Sequence, residues 1–486
     1  MNDVAMLING EPRPSTDGRT FTTRDPARGI ALADVPHATN DDVDAAVDAA
    51  RAAFHGPWAR TSPARRARML NRLAELVERD AERLAELESR NNGKPRWQCL
   101  LEIRQAVSDL EFFAGAAQHL YGRSFAVSPS ILSYTLREPV GVCAAIIPWN
   151  YPLMMAAWKL APALAAGCTL VMKPASATPL TALELAALAL EAGIPAGVFN
   201  VVTGPGAEVG EALAAHPAID KIAFTGETGT GRRIAAIAAE GLKRVSLELG
   251  GKSPNVVFAD ADLEAAIAGS LWAIYYSGGQ SCEARSRILV EESIHDEFVT
   301  KFAEKASRLR LGDPLADETQ IGSMISPAHA RKILGFVTEA VDAGATLVTG
   351  GAADGEIGAD LDSSAFVRPT VVDGVANASR IGQEEVFGPV VATIRAASLE
   401  RAIEIANSVD FGLSASIFTR DIGLAFEFIR EIRAGMVHVN SETAGAEPHA
   451  PFGGMKGSSS HSREQGKAAV DFYTETKTVY LDMPQR

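Results

Sequence analysis

What this 486-residue sequence has little of already constrains it. Its four cysteines, Cys99, Cys143, Cys168 and Cys282, are irregularly spaced and match neither a disulfide framework nor a zinc pattern. Reduced thiols and no metal site are therefore expected, with room for one chemically active cysteine. Positive charge is also short: 46 Lys and Arg against 60 Asp and Glu leave a net charge of -14. That argues against the basic patch needed to hold nucleic acid or an anionic membrane. Residues 1–11 lack a basic region followed by an apolar run and a small-residue cleavage site, so a cytoplasmic protein is expected. The most apolar stretch, 152–172, is broken by Lys159, Pro162 and Gly167 and flanked by strand-like segments, which argues against a membrane span. Internal repeats and low-complexity tracts are absent as well.

What is present is an ordinary globular composition, 47% apolar and 22% charged, in a chain too long for one hydrophobic core. Two large domains are expected, with a small third element. Residues 40–118 carry Ala, Leu, Arg and Glu at three- and four-residue spacing and read as surface helices. From residue 140 the pattern alternates strand (140–147, 169–173, 198–203, 221–225, 244–249) with helix (153–166, 180–192, 207–214, 231–240). Five strands joined by four helices require right-handed parallel crossovers, hence a doubly wound α/β sheet. Its ligands belong at the carboxyl ends of the strands, where loops 148–151, 174–178, 204–206 and 226–231 fall. A second α/β set follows residue 251, with helices near 262–275, 295–309, 327–343 and 399–408. Its strands are expected at 287–291, 390–394, 415–418 and 436–440. Two further strand-like segments, 124–137 and 471–482, look like exposed edges that invite pairing within or between subunits.

Cys282 lies in Ser277-Gly-Gly-Gln-Ser-Cys, a small-residue turn that lets the backbone approach a ligand and can leave the cysteine amide free as an oxyanion donor. A lone cysteine is otherwise an inert buried thiol, which is the reading for Cys143 and Cys168, placed within apolar strands. Glu248 ends the fifth strand beside two glycines; it is either a general base or a solvated carboxylate. Asn150 follows the first strand and is either an oxyanion donor or a turn asparagine. Gly226-Glu-Thr-Gly-Thr-Gly231 follows a strand and opens a helix, a setting that suits a pyrophosphate although its glycine spacing is not the dinucleotide fingerprint. Lys173, ending the second strand, is a candidate for ribose or phosphate.

Taken together, Pro148-Trp-Asn-Tyr-Pro, Lys173-Pro, Phe224-Thr-Gly, Leu247-Glu-Leu-Gly-Gly-Lys-Ser-Pro, Gly279-Gln-Ser-Cys, Glu384-Glu-Val-Phe-Gly-Pro and Pro451-Phe-Gly-Gly resemble the non-acylating aldehyde dehydrogenase superfamily, in its order and over nearly the whole chain. The resemblance implies a Rossmann-type doubly wound cofactor domain (1–120 and 140–250), an α/β catalytic domain (251–465) and a small β oligomerisation element (121–139 and 466–486). It implies an NAD or NADP cofactor, a small aldehyde substrate and a homo-oligomer, dimer or homotetramer. Cys282 becomes the nucleophile, Asn150 and the Cys282 amide the oxyanion hole, Glu248 the base, and Lys159 and Glu464 its proton relay. Glu385 would hold the nicotinamide ribose, with Phe387 near the ring and Lys173 at the adenine ribose. Ile147, Trp149, Gly204, Gly226, Thr230 and Leu249 would lie along the cofactor.

Two positions depart from the family pattern. Ser176 stands where many NAD-preferring members carry Glu, which removes a charge that would repel a 2′-phosphate and makes NADP use plausible. Glu227 stands where many carry Ser, and a carboxylate near a pyrophosphate is unfavourable unless it points away. For the substrate, Tyr151, Trp158 and Phe452 match the aldehyde tunnel and Glu283 follows the nucleophile. Aromatic faces with a carboxylate suit a cationic aldehyde such as betaine aldehyde or an ω-aminoaldehyde. Carboxylate-bearing semialdehydes and aliphatic or aromatic aldehydes are the alternatives. An acylating relative should lack Glu248, and a catalytically idle structural recruit should have lost Cys282, Glu248 or Asn150.

Overall fold

The computed structural model describes residues 2–353, 357–441 and 447–482. The five strands expected after residue 140 form one sheet, in the order Arg244–Glu248, Lys221–Thr225, Val142–Ile146, Thr169–Lys173, Phe199–Val201. Every neighbouring pair among them is parallel. The chain order reverses at Val142–Ile146, so the sheet is doubly wound, and the strand ends on either side of that point open a crevice. Two short strands not expected from the sequence, Met6–Ile8 and Glu11–Arg13, add to the Phe199–Val201 edge in antiparallel fashion.

Helices α1 (Asn40–His55), α2 (Pro63–Arg79), α3 (Ala81–Asn92), α4 (Arg96–Ala116), α5 (Pro152–Ala166), α6 (Leu180–Glu191), α7 (Glu211–Ala215) and α8 (Thr228–Glu240) cover this sheet. α1 starts at a capping box in which Thr39 and Asp42 satisfy each other's backbone amides. α4 corrects the expectation of surface helices: it packs against α2, α3 and α5, with Cys99, Ile103, Ala106, Leu110 and Phe113 wholly buried. α5 is the apolar 152–166 segment, and among the described residues no helix is long and apolar enough to cross a membrane. Cys168 is buried in the turn after α5 rather than within a strand.

The second sheet runs Thr346–Ala352, Val367–Asp373, Val390–Ala396, Arg287–Glu291, Pro254–Val257, Ser414–Phe418, Met436–Val439, parallel except for its first pair. Three of these strands, Pro254–Val257, Thr346–Ala352 and Val367–Asp373, were not anticipated. α9 (Leu263–Tyr275) leads into the Cys282 turn. The segments read as exposed edges pair with each other: Thr474–Asp482 runs antiparallel to Ile131–Pro139, which pairs with Ser124–Ser128. The expected oligomerisation segment 466–486 extends past the described residues from 483 onward.

Candidate active site

After α9 the chain turns through Ser277, Gly278 and Gly279, all left-handed at φ 55°, 59° and 69°. A side chain at Gly279 would collide with the Gly388 carbonyl, and one at Gly251 with the Cys282 carbonyl, so the turn needs glycine on itself and on its neighbour. Ser277 holds the same strained conformation, its N–H donating to Gln98 Oε1 at 3.0 Å. This fixes Cys282, half-buried where the other three cysteines are fully buried, at the wall of a cavity between the two sheets. Burial pushes its thiol up, and Glu283, Glu385 and Glu248 add to that by charge repulsion, so the thiol rests neutral and needs a base.

Asn150, buried at the end of the central strand, donates Nδ2 to the Gln280 carbonyl at 2.9 Å. One amide hydrogen anchors the side chain against the nucleophile turn and leaves a second for a ligand in the cavity it lines. Glu248, 2% exposed, ends its strand facing the same cavity. Its Oε1 accepts from Ser459 Oγ at 3.1 Å, while Oε2 has no protein partner. Burial, then repulsion from Glu464, raises its carboxyl well above the usual range, against the pull of Lys159. Lys159 and Glu464 form a buried ion pair, with Lys159 Nζ also donating to Thr225 Oγ1 at 2.8 Å. Phe452 and Glu464 pair through their backbones, and Trp158 meets the Phe452 ring edge-on at 5.0 Å.

The cavity measures about 180 Å³. Leu101, Met154, Met155, Trp158, Trp272 and Phe452 supply most of its apolar wall, with Tyr151, Tyr276, Glu102 and Glu283 among the polar lining. No Lys, Arg or His is among the described residues that line it. Tyr151, Trp158, Glu283 and Phe452 are thus brought together as expected. Trp272, Tyr276, Glu102 and Ser459 complete the site without having been foreseen.

Of the expected cofactor residues, those from Ile147 to Leu249 lie along the carboxyl ends of the first sheet, and Glu385 and Phe387 reach it from the loop before Val390–Ala396. Ile147 N–H donates to Lys173 O at 3.1 Å, and Ser176 Oγ to Gly204 O at 2.7 Å. Lys173 is 3% exposed and its ammonium is lowered to about 8 by burial alone, a cation with no acidic partner among the described residues. Gly226, Glu227 and Thr230 surround the start of α8, whose N-cap residue, Glu227, makes no side-chain cap, so its first amides are available to an anion. Glu227 itself is exposed, and Leu249 packs beneath against Gly231. Glu385 accepts from the Gly251 N–H at 2.9 Å and is raised to about 7 by burial. Phe387 stands edge-on to Trp149 at 5.2 Å. An unpartnered cation, an uncapped helix start and a carboxylate spaced along one crevice fit a dinucleotide.

A thiol held between a doubly wound sheet and a second α/β layer, beside a crevice that fits a dinucleotide, is an arrangement that suits a dinucleotide-dependent oxidoreductase. The comparisons name its kind. The model of the aldehyde dehydrogenase family matches residues 13–479, and the chain belongs to that family. It is 43% identical over 478 residues to an aldehyde dehydrogenase of Emericella nidulans, covering 98% of this chain and 95% of that one. It is 43% identical over 485 residues to human retinal dehydrogenase 2, covering 99% and 92%. The structure of a Bacillus cereus aldehyde dehydrogenase in complex with NAD+ superposes with a TM-score of 0.96 at 42% identity, covering 99% and 97%. The protein is therefore an aldehyde dehydrogenase that uses NAD or NADP.

Proposed function

We propose that the protein oxidises a neutral, apolar aldehyde to its carboxylic acid through a thioester on Cys282. The observation that carries this is the cavity: apolar side chains line it beside Cys282, Asn150 and Glu248. Glu248 in its ionised form relieves the Cys282 thiol of its proton, and its raised carboxyl brings it closer to the thiol in basicity. The thiolate attacks the aldehyde carbon, and the Asn150 amide and Cys282 N–H hold the oxygen that becomes negative. The nicotinamide cofactor, when bound, supplies the acceptor for the hydride. The Lys159–Glu464 pair carries the thiol's proton outward and returns Glu248 to its carboxylate, which then takes a proton from the water attacking the thioester as the Cys282 thiolate leaves.

Lys173, Ser176, Gly204, Gly226, Thr230, Glu385 and Phe387 are read as the cofactor contacts. The exposed Glu227 side chain is compatible with a pyrophosphate at α8. Ser176 in place of a glutamate favours acceptance of NADP beside NAD. The reading keeps the division into cofactor, catalytic and oligomerisation parts, with segment 452–464 reaching back to the first sheet. It adds a homo-oligomer built on the small sheet, where Phe125, Val127, Leu132, Leu136, Tyr480 and Leu481 are exposed, and a cytoplasmic setting that keeps the four thiols reduced.

A carboxylate-bearing semialdehyde would find no cation in the described lining. A cationic aldehyde is the second reading, favoured by Glu283 beside the nucleophile. Two features oppose it. Glu102 is paired with Lys94, and the Lys94 ammonium already lies 4.2 Å from the centre of the Tyr151 ring. The test is reduction of NAD and NADP with hexanal, benzaldehyde, 4-aminobutanal, betaine aldehyde and succinic semialdehyde. Preference for the first two supports the apolar reading. Preference for the cationic pair overturns it and leaves the thioester chemistry standing.

A further inference from the structure

The Asn150–Tyr151 turn and the Cys282 turn belong to different parts of the chain, yet one remote segment touches both. Glu88, near the end of α3, is fully buried and accepts at Oε2 from the Leu153 N–H at 3.0 Å and from Thr181 Oγ1 at 2.8 Å. α5 begins at Pro152 with Tyr151 at its N-cap position and no side-chain cap of its own, so Glu88 supplies from 65 residues away what the local sequence lacks. Lys94, 2% exposed, pairs with Glu102 and lies over the Tyr151 ring. Glu102 in turn accepts from the Tyr276 hydroxyl at 3.2 Å, and Gln98 accepts the Ser277 N–H at the head of the nucleophile turn. Burying a lysine and two glutamates is costly, and apolar side chains of the same volume would pack as stably. The charged groups do what apolar ones do not, which is to fix α5, Tyr151, Tyr276 and Ser277 at defined points.

We propose that segment 88–102 is a bracket that sets the spacing between the Asn150–Tyr151 turn and the Cys282 turn, with Lys94, Glu88 and Gln98 as its positioning residues. The proposal rests on Cys282 and Asn150 acting as nucleophile and oxyanion donor. None of the three positioning residues touches the reacting atoms; they act through Tyr151, Leu153 and Ser277.

The experiment compares the full-length Lys94→Met, Lys94→Arg and Gln98→Leu enzymes with wild type, using hexanal kinetics and fluorescence titration with NAD. Lys94→Met should lower kcat/KM about 100-fold, the effect of misplacing a bound group by about an ångström, with KM carrying the larger share. Lys94→Arg, a cation that also stacks on the ring, should recover activity to within about threefold of wild type. Gln98→Leu removes one buried acceptor without adding charge and should lower kcat about tenfold. The NAD dissociation constant should stay within about twofold in all three, because the bracket lies away from the cofactor crevice. If Lys94→Met does not fold, Gln98→Leu decides. Folded variants with unchanged kcat and KM overturn the bracket, as does a loss of NAD affinity equal to the loss of activity. A Cys282→Ala enzyme that still turns over would instead overturn the reading of the site.

Discussion

Two buried lysine–glutamate pairs flank the cavity, and they are built differently. Lys159–Glu464 draws on hydroxyls, Thr225 for the lysine and Ser246 for the glutamate at 3.3 Å, and stands beside the unpartnered Glu248 Oε2. Lys94–Glu102 draws on aromatic side chains, the Tyr151 face and the Tyr276 hydroxyl. Both pairs hold a hydroxyl, but only Lys159–Glu464 neighbours Glu248, the carboxylate read as the base, whereas the Lys94 ammonium is covered by the Tyr151 face. The first pair is suited to moving charge and the second to holding a shape, although both consist of the same two residue types at similar burial.

The most severe way to remove what both pairs serve is Cys282→Ala. Turnover should fall by at least about 10⁴-fold while the fold is kept, read as loss of nicotinamide reduction. Glu248→Gln disconnects only the proton-moving pair. Because Glu248 serves both the thiol and the water, steady-state kcat should fall by about 10²- to 10⁴-fold with no burst of reduced nicotinamide ahead of it. Lys159→Met leaves Glu464 buried without its partner, at a cost of about 3–5 kcal/mol in chemical denaturation. Its kinetic loss should sit in kcat rather than KM, opposite to the Lys94 variant. A common pattern in the two would erase the distinction drawn here.

The cofactor crevice provides the control, since neither pair reaches it. Glu385, raised to about 7, would accept from ribose more strongly as the carboxylate, so dinucleotide affinity should rise as pH climbs through about 7. Lys173, lowered to about 8, loses its charge above that, so affinity should fall again on the alkaline side. Fluorescence titration across this range should give a bell, and Glu385→Gln should remove its acid limb alone. The smallest effect expected is from Ser176→Glu, which should weaken NADP about tenfold against NAD by placing a carboxylate near the 2′-phosphate.

The parallel strands were legible because each is a short apolar run between helical stretches, and Thr169–Lys173 and Lys221–Thr225 fall where the pattern puts them. The hairpin Met6–Ile8/Glu11–Arg13 was missed although its turn, Asn9-Gly10 at φ 54° and 76°, is a strong local hairpin signal. Pro254–Val257 is four residues behind a glycine pair, too short to show a period. α4 was misread because its polar residues suggested solvent, whereas its faces pack against three other helices. In the site, Cys282, Asn150, Glu248, Lys159 and Glu464 stood out because each sits in a recognisable local context. Lys94, Gln98, Glu102, Tyr276 and Ser459 did not, because each meets a site partner tens to hundreds of residues away, and only Lys94–Glu102, 8 residues apart, is local.

The return segment carries a consequence in time. Ser459 holds Glu248, Glu464 closes on Lys159, and Phe452 walls the cavity, all from segment 452–464. Chains are made from the amino terminus, and earlier parts can fold first. A nascent protein on the ribosome can therefore complete its first sheet and expose the Cys282 turn while the base still lacks its serine and the relay its acid. On the proposed roles, competence waits until residues 452–464 have been made.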